Sequence, residues 1–170
     1  IQKLGSTVTD PLVMYMFAAW KRDRVSCDGL LRMLADLESY LFRRMICSVS
    51  SNGLNKLVPS LIVRLDSAED DLAETFAALL ITETAKASRM PTDSEFRQAL
   101  LGENLYRPAW RCKYLLAGLE NYNHPKDPRS FSEYTIEHIM PQNAMAHAEW
   151  RNMLADLDRF PLLVNSLGNL

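Results

Sequence analysis

Residues 28–45 read DGLLRMLADLESYLFRRM, and this stretch decides the fold class. Its apolar residues recur three or four positions apart, which places them on one face of an α-helix. A long helix with one apolar face is typical of a helical core, and Asp28 is its predicted N-cap. The apolar face is formed by Leu30, Leu34, Leu37, Leu41 and Met45.

Similar helical patterns flank this stretch on both sides. Asp10-Pro11 joins a capping residue to a proline, which fits the first helical position. Residues 91–95, Pro-Thr-Asp-Ser-Glu, form a capping box, in which the Thr and Glu side chains bind backbone N–H groups. Residues 1–123 are therefore predicted to be a bundle of helices. The further predicted helices span residues 54–65, begin after Ser67, and span residues 107–122.

The composition is that of an ordinary globular protein. The chain has 170 residues, of which 48% are hydrophobic and 24% are charged, and its net charge is -2. An autonomous nucleic-acid-binding domain is more often clearly basic. The charge therefore counts against strong DNA binding by this segment alone. It does not exclude a nuclease that binds DNA through other parts of a longer parent protein.

The apolar segments and the cysteines favour a cytoplasmic protein without a membrane partner. The best apolar stretch, residues 12–20, is shorter than the roughly 18 residues that a membrane-spanning helix needs. No signal peptide is evident, although the chain begins at Ile1. The three cysteines form no CxxC pair, which disfavours a zinc site and favours reduced thiols.

The character of the sequence changes after residue 123. Residues 124–130 contain two prolines among polar residues and are predicted to be a linker. Aromatic and β-branched residues then predict a short strand, followed by a helix and a second extended run. We therefore expect a small C-terminal domain over residues 131–170. Its predicted elements span residues 131–139, 144–157 and 160–170.

A candidate catalytic site lies in this C-terminal part. Residues 134–142 read YTIEHIMPQ, and residues 167–170 read LGNL. A histidine beside a carboxylate can act as a general base next to a divalent metal, which makes Glu137 and His138 candidates. Asn169 can hold that histidine in register. A lone Glu-His pair is more often structural, but the surrounding string and the later Gly-Asn favour a site.

These residues resemble the start of an HNH-type (His-Me finger) nuclease domain. More narrowly, they resemble the C-terminal domain of GmrSD-type proteins, which join a ParB-like nucleotidase domain to an HNH-type nuclease. Weaker signatures, such as Leu105-Tyr106, extend the resemblance over most of residues 30–170. It implies a mainly α protein that ends in an incomplete ββα metal-binding element, because the chain stops at Leu170, before the helix that follows the second strand.

The resemblance also implies roles for the matching residues. His138 would be the general base that activates water for attack on a DNA phosphodiester. Glu137 would contact a divalent metal, Mg²⁺ or Mn²⁺, and Asn169 would fix the loop and the His138 ring. A further metal ligand is expected from the helix after the second strand. We therefore expect the parent protein to be the endonuclease, and residues 1–170 alone to be inactive.

The partners implied by the resemblance are DNA, including DNA with modified bases, and a nucleotidase domain. A nucleotide would bind only in that N-terminal domain, outside these residues, and a homo-oligomer is a further expectation. The system would be one of restriction or phage defence.

Basic residues offer weaker candidates for DNA contacts. The paired guanidiniums of Arg43 and Arg44 suit a phosphate, and an ion pair between helices explains them as well. Residues 107–129 hold five basic residues against two acidic ones, with aromatic residues between them, as in a DNA path or a solvated helix face. The candidates from this segment are Arg111, Lys113 and Arg129.

The sequence leaves more than one function open. The first is a fragment of a metal-dependent DNA endonuclease. The second is a non-catalytic helical module that docks a nucleotidase domain or another partner, which the low net charge favours. A small helical regulator, such as a toxin neutraliser, is a third interpretation.

Overall fold

The computed structural model describes residues 7–102, 104–154 and 156–170. These residues form eight α-helices with turns and short 3-10 segments between them, and none of the described residues lies in a β-strand. The chain divides into two compact units, Ile1–Asp93 and Ser94–Leu170. The prediction of a mainly helical protein is confirmed.

Four helices make up most of the first unit. They span Asp10–Lys21 (α1), Cys27–Ile46 (α2), Leu54–Asp66 (α3) and Leu72–Thr82 (α4). α2 and α3 each contact both α1 and α4. Their apolar faces therefore meet in one core, which includes Met16, Leu37, Leu61 and Phe76.

The predicted apolar face of α2 is confirmed at three of its five positions. Leu30, Leu37 and Leu41 are buried, whereas Leu34 and Met45 are half-buried. Because α2 packs against two helices, its buried surface is wider than a single stripe and includes positions between the predicted ones. These further buried side chains include Met33, Tyr40 and Arg44.

The N-cap of α2 is Ser26, so the prediction of Asp28 as the cap is wrong. The Ser26 hydroxyl accepts a hydrogen bond from the Gly29 N–H at 3.0 Å, and the Ser26 backbone is extended. Asp28 lies inside the first turn, where its carboxylate is close to the positive end of the helix dipole. Both residue types are good caps, and only the backbone geometry decides between them.

The N-cap of α4 is Asp71, so the prediction of Ser67 as its cap is also wrong. Asp71 Oδ1 accepts hydrogen bonds from the backbone N–H groups of Ala73 and Glu74, both at 2.9 Å. The Ser67 hydroxyl instead donates to two carbonyls in the last turn of α3, at 3.1 Å. Serine can serve either helix end, because its hydroxyl both donates and accepts.

Four further helices follow along the chain. They span Asp93–Gly102 (α5), Ala109–Asn123 (α6), Ala148–Met153 (α7) and Phe160–Leu163 (α8). α5 begins just after the threonine of the capping box, and α6 covers most of residues 107–122. Both of these predicted helices are therefore confirmed.

A small apolar core lies under the C-terminal segment of the second unit. Met140, Ala144 and Val164 are buried together, and partly buried side chains from α7 and α8 pack against them. This core brings residues 138–144 close to the last residues of the chain. The packing side chains include Trp150, Phe160 and Leu163.

The two predicted strands of the C-terminal part are wrong as strands. Residues 131–139 form turns and irregular backbone. In the second run, residues 160–163 are α8, which has Pro161 in its first turn, and residues 167–169 are a 3-10 turn. A proline at that position favours a helix start and cannot donate to a ladder. One backbone hydrogen bond, from Ile139 N–H to the Asn169 carbonyl at 3.0 Å, joins the two segments.

The boundary of the compact units differs in position from the predicted linker. The units divide after Asp93, whereas the linker was predicted over residues 124–130, which are all exposed and lie directly after α6. The division into a scaffold over residues 1–123 and a nuclease domain over residues 131–170 stays a prediction. In the described ranges, every helix is too short or too polar to cross a lipid bilayer.

Candidate active site

Asn169 holds the backbone that follows His138. Its side chain is buried, and its Oδ1 accepts a hydrogen bond from the Met140 N–H at 2.6 Å. Its Nδ2 donates to the Met140 carbonyl at 3.0 Å and to the Val164 carbonyl at 2.8 Å. One amide therefore binds both backbone groups of Met140, as a neighbouring strand would. These hydrogen bonds connect the backbone of Met140 to that of Val164 through one side chain.

The His138 ring is half-buried and is contacted by three side chains of the same unit. Its Nε2 lies 3.2 Å from Asn165 Oδ1 and 3.4 Å from the Gln142 amide nitrogen. The Tyr106 ring meets it edge-on, with centroids 4.7 Å apart and an angle of 68° between the planes. The ring contact predicted for Asn169 is thus made by Asn165, because Asn169 uses its amide on the backbone.

The segment that carries Tyr106 is itself tied to Asn165. The Leu105 N–H donates to the Asn165 carbonyl at 3.2 Å, and the Leu105 side chain is fully buried. Asn165 therefore touches His138 with its side chain and anchors the neighbour of Tyr106 with its backbone. Leu105-Tyr106 was already part of the family signature, whereas nothing in the sequence pattern singled out Asn165.

Glu137 forms a hydrogen bond within its own segment. It is exposed, and its carboxylate accepts a hydrogen bond from the Thr135 hydroxyl at 3.2 Å. Adjacent residues in irregular backbone can face different environments, so Glu137 meets solvent while His138 meets Asn165. Within the part of the chain that the structure describes, no three His, Cys, Asp or Glu side chains gather into a potential metal site.

Replacement of Asn169 by Ala is expected to lower the free energy of unfolding by about 2–4 kcal/mol, because buried backbone groups lose their partners. The local readout is hydrogen exchange at the Met140 amide, which should become much faster. Asn143→Ala is the matched control, since Asn143 is exposed and lies in the same unit. Equal effects of the two substitutions would contradict the assignment of Asn169 as the residue that fixes the loop.

The candidate DNA contacts Arg43 and Arg44 lie in the first unit. Arg44 is only 2% exposed. Its guanidinium donates to the carbonyls of Ser50, Ala87 and Arg89, at 2.6, 2.8 and 3.2 Å. Arg43 is half-buried and forms an ion pair with Asp93 at 2.6 Å. A guanidinium enclosed by carbonyls has no free face for a phosphate, so the burial of Arg44 disfavours a DNA contact there.

The other three basic candidates differ in their exposure. Arg111 is only 7% exposed, and its guanidinium donates to the Asn104 carbonyl at 2.7 Å. Lys113 is half-buried, and Arg129 is exposed in the irregular segment after α6. Burial therefore disfavours Arg111 as a phosphate contact and leaves Lys113 and Arg129 as the accessible candidates.

The comparison with protein families bears on the second unit. Residues 90–170 match the family described as GmrSD restriction endonucleases, C-terminal domain. The match includes Glu137, His138 and Asn169, and it confirms the resemblance to the C-terminal part of GmrSD-type restriction proteins over these residues. This region is therefore related to restriction endonucleases. The chain has no match among curated proteins or among solved structures.

Proposed function

From the place of residues 90–170 in the GmrSD C-terminal domain family, we propose that this region contributes the hydrolytic centre of a metal-dependent DNA endonuclease. His138 is its general base, in a protein of restriction or phage defence. The observation that carries the proposal is the environment of His138. Its half-buried ring is contacted at Nε2 by Asn165, and the backbone after it is held by the buried Asn169.

The proposed step is the activation of a water molecule by His138. A neutral imidazole nitrogen takes a proton from the water while the water oxygen attacks the phosphorus atom. The bond from phosphorus to the leaving sugar oxygen then breaks. Such a base must be held still relative to its substrate, because small displacements cost rate. The contacts of Asn165 and Asn169 supply that rigidity.

In this proposal Glu137 contacts the divalent metal. Its carboxylate is exposed and is adjacent in sequence to the proposed base. Mg²⁺ is commonly held by one or two carboxylates together with phosphate oxygens and waters, so one exposed carboxylate fits a site that the substrate completes. A metal bound there would neutralise charge on the scissile phosphate.

The finer assignments are also part of the proposal. Residues 131–139 and the segment that ends at Asn169 correspond in this proposal to the two strands of a ββα element, although their described backbone is irregular or helical. Lys113 and Arg129 contact the DNA backbone, and the exposed aromatic rings of Trp110 and Tyr122 lie on the same helix as Lys113.

A nucleotidase domain of the full-length protein supplies nucleotide binding, and the protein acts in the cytoplasm.

We expect the full-length protein to cut DNA only in the presence of Mg²⁺ or Mn²⁺. The assay compares plain, hydroxymethylated and glucosylated DNA, before and after removal of metal with EDTA and after its return. Cutting that persists in EDTA would exclude the metal role of Glu137. An enzyme that leaves all three DNAs intact with either metal would overturn the nuclease proposal.

A second candidate function is a helical module that docks another part of the full-length protein. Exposed apolar side chains on one side of α1 favour it, namely Met14, Phe17 and Trp20, which are spaced three residues apart. Apolar residues grouped on a surface often mark an interface. Size-exclusion chromatography with light scattering tests it, and a strictly monomeric chain without affinity for the N-terminal domain would exclude it.

A further inference from the structure

We infer that Asn165 and Tyr106 are positioning residues for His138. Asn165 selects the ring nitrogen that carries the proton, and Tyr106 sets the plane of the ring. The inference rests on the proposed role of His138 as the general base. It gives a role to Asn165 and Tyr106, which are not part of the sequence motif formed by Glu137, His138 and Asn169.

The contact between Asn165 and His138 determines a tautomer. A carbonyl oxygen of an amide side chain can only accept a hydrogen bond. Asn165 Oδ1 lies 3.2 Å from His138 Nε2, so a hydrogen bond there requires the proton on Nε2. The neutral ring then has its free electron pair on Nδ1. Nδ1 is therefore the atom that takes the proton from water.

Gln142 approaches the same ring nitrogen and would demand the opposite tautomer. Its amide nitrogen, a donor, lies 3.4 Å from His138 Nε2. One nitrogen of a neutral ring cannot both donate to Asn165 and accept from Gln142. Asn165 prevails, because its contact is shorter and it is half-buried with an anchored backbone, whereas Gln142 is exposed to competing water.

The Tyr106 ring restricts rotation of the imidazole. The two rings meet edge-on at 4.7 Å, which is a favourable geometry for aromatic pairs. The neighbouring Leu105 is buried and bonded to the Asn165 carbonyl, so Tyr106 and Asn165 are held in one assembly. An imidazole that is bonded at Nε2 and packed against a second ring has one preferred orientation, and so does its Nδ1.

The hydrogen bond to Asn165 also favours proton transfer. When Nδ1 takes the proton, the ring becomes a cation, and the Nε2–H···O bond becomes charge-assisted and stronger. This gain arises during the reaction and not on DNA binding. Loss of the bond is therefore expected to lower kcat more than it changes KM.

The test combines the tautomer with the cleavage rate in the full-length protein. Selective ¹⁵N labelling of histidine reports by NMR which ring nitrogen of His138 bears the proton. We expect the Nε2–H form in the wild type and its loss in Asn165→Leu. Asn165→Asp retains an acceptor at the same position and should retain the tautomer. In parallel, kcat in Asn165→Leu should fall by about 10- to 100-fold, by analogy with the range seen for partners that orient metal-ligating histidines.

The matched control is Asn143→Leu, the same substitution at an exposed residue of the same unit, which should leave the tautomer and kcat unchanged. Gln142→Leu removes the competing contact to the same nitrogen and should leave the Nε2–H tautomer in place. For the ring contact, Tyr106→Ala should lower kcat because it removes the ring, and Tyr106→Phe should restore kcat because it keeps the ring. Hydrogen exchange at the Met140 amide shows whether each variant keeps the fold of the loop.

The outcomes separate this inference from the function on which it rests. An Nδ1–H tautomer in the wild type, or a tautomer that Asn165→Leu leaves unchanged, would overturn the positioning role whatever the cleavage rate. If the tautomer responds as expected and the wild type cuts no DNA, the hydrogen bond is supported and the nuclease proposal fails.

Discussion

Replacement of His138 by Ala should lower the rate of DNA cleavage by the full-length protein about a thousandfold, since a positioned general base contributes roughly 10²- to 10⁴-fold. The side chain is half-buried, and both backbone polar groups of Met140, two residues further along the chain, are bonded to Asn169. Alanine leaves the attacking water without a proton acceptor in that place. The loss should appear in the single-turnover rate at saturating protein, with little change in DNA affinity.

A second histidine substitution separates the loss of a base from a general effect of the mutation. His124 is exposed at the end of α6, where its ring lies 3.6 Å from the Glu120 carboxylate. His124→Ala should therefore cut at the wild-type rate. Wild-type cutting by His138→Ala would remove His138 as the base, and an equal loss in both variants would show that the effect is not specific to it.

The largest expected effect on stability comes from Arg44 in the first unit. Arg44→Ala should lower the free energy of unfolding by about 3–5 kcal/mol, because three backbone carbonyls lose a charged donor. The distances of 2.6 to 3.2 Å from the guanidinium to Ser50, Ala87 and Arg89 show that one planar group serves all three. Urea unfolding followed by circular dichroism measures the change.

Arg44→Ala would also remove contacts other than these three hydrogen bonds. The Arg44 guanidinium lies 5.2 Å from the centre of the Tyr40 ring. The Tyr40 hydroxyl donates to the carbonyl of Ser88, which lies between Ala87 and Arg89 in the loop after α4. Burial raises the pKa of Tyr40 to about 12, so the phenol keeps the proton that it donates. The loop also approaches Gly53 so closely that a Cβ there would overlap the Ala87 carbonyl.

Two variants give the Arg44 prediction its controls. Arg64→Ala removes an arginine that is exposed near the end of α3 and should change stability by less than about 0.5 kcal/mol. Arg44→Lys keeps the charge but loses the planar fork, so its stability should fall between those of wild type and Arg44→Ala. An Arg44→Ala protein as stable as Arg64→Ala would show that the three carbonyls find other partners.

Much of the helical fold could be predicted from local signals. α1 begins at Asp10 with Pro11 in its first turn, as predicted, but its N-cap is Thr9, so the prediction of Asp10 as the capping residue is wrong. α5 begins directly after Thr92 of the predicted capping box, and the face of α2 follows the leucine spacing. The N-cap residues were harder to predict. Ser26 and Asp28 are both good N-cap residue types, and the choice between them depends on backbone angles that the sequence does not display. The strands failed for a related reason. Aromatic and β-branched residues predict a strand only when a partner ladder forms, and the described backbone forms none.

For the candidate site, the sequence by itself determined that Glu137 and His138 are adjacent, that Asn169 follows after a fixed interval, and that the set resembles a nuclease motif. Only the tertiary structure decided what each residue touches. Asn169 bonds the backbone of Met140, 29 residues away, and Asn165 bonds the His138 ring across 27 residues. Such contacts depend on how the small core of Met140, Ala144 and Val164 folds the chain back on itself. The spacing of apolar residues predicts a helix because the helical period is local. The hydrogen-bond partner of a side-chain amide depends on packing between segments that are distant in sequence.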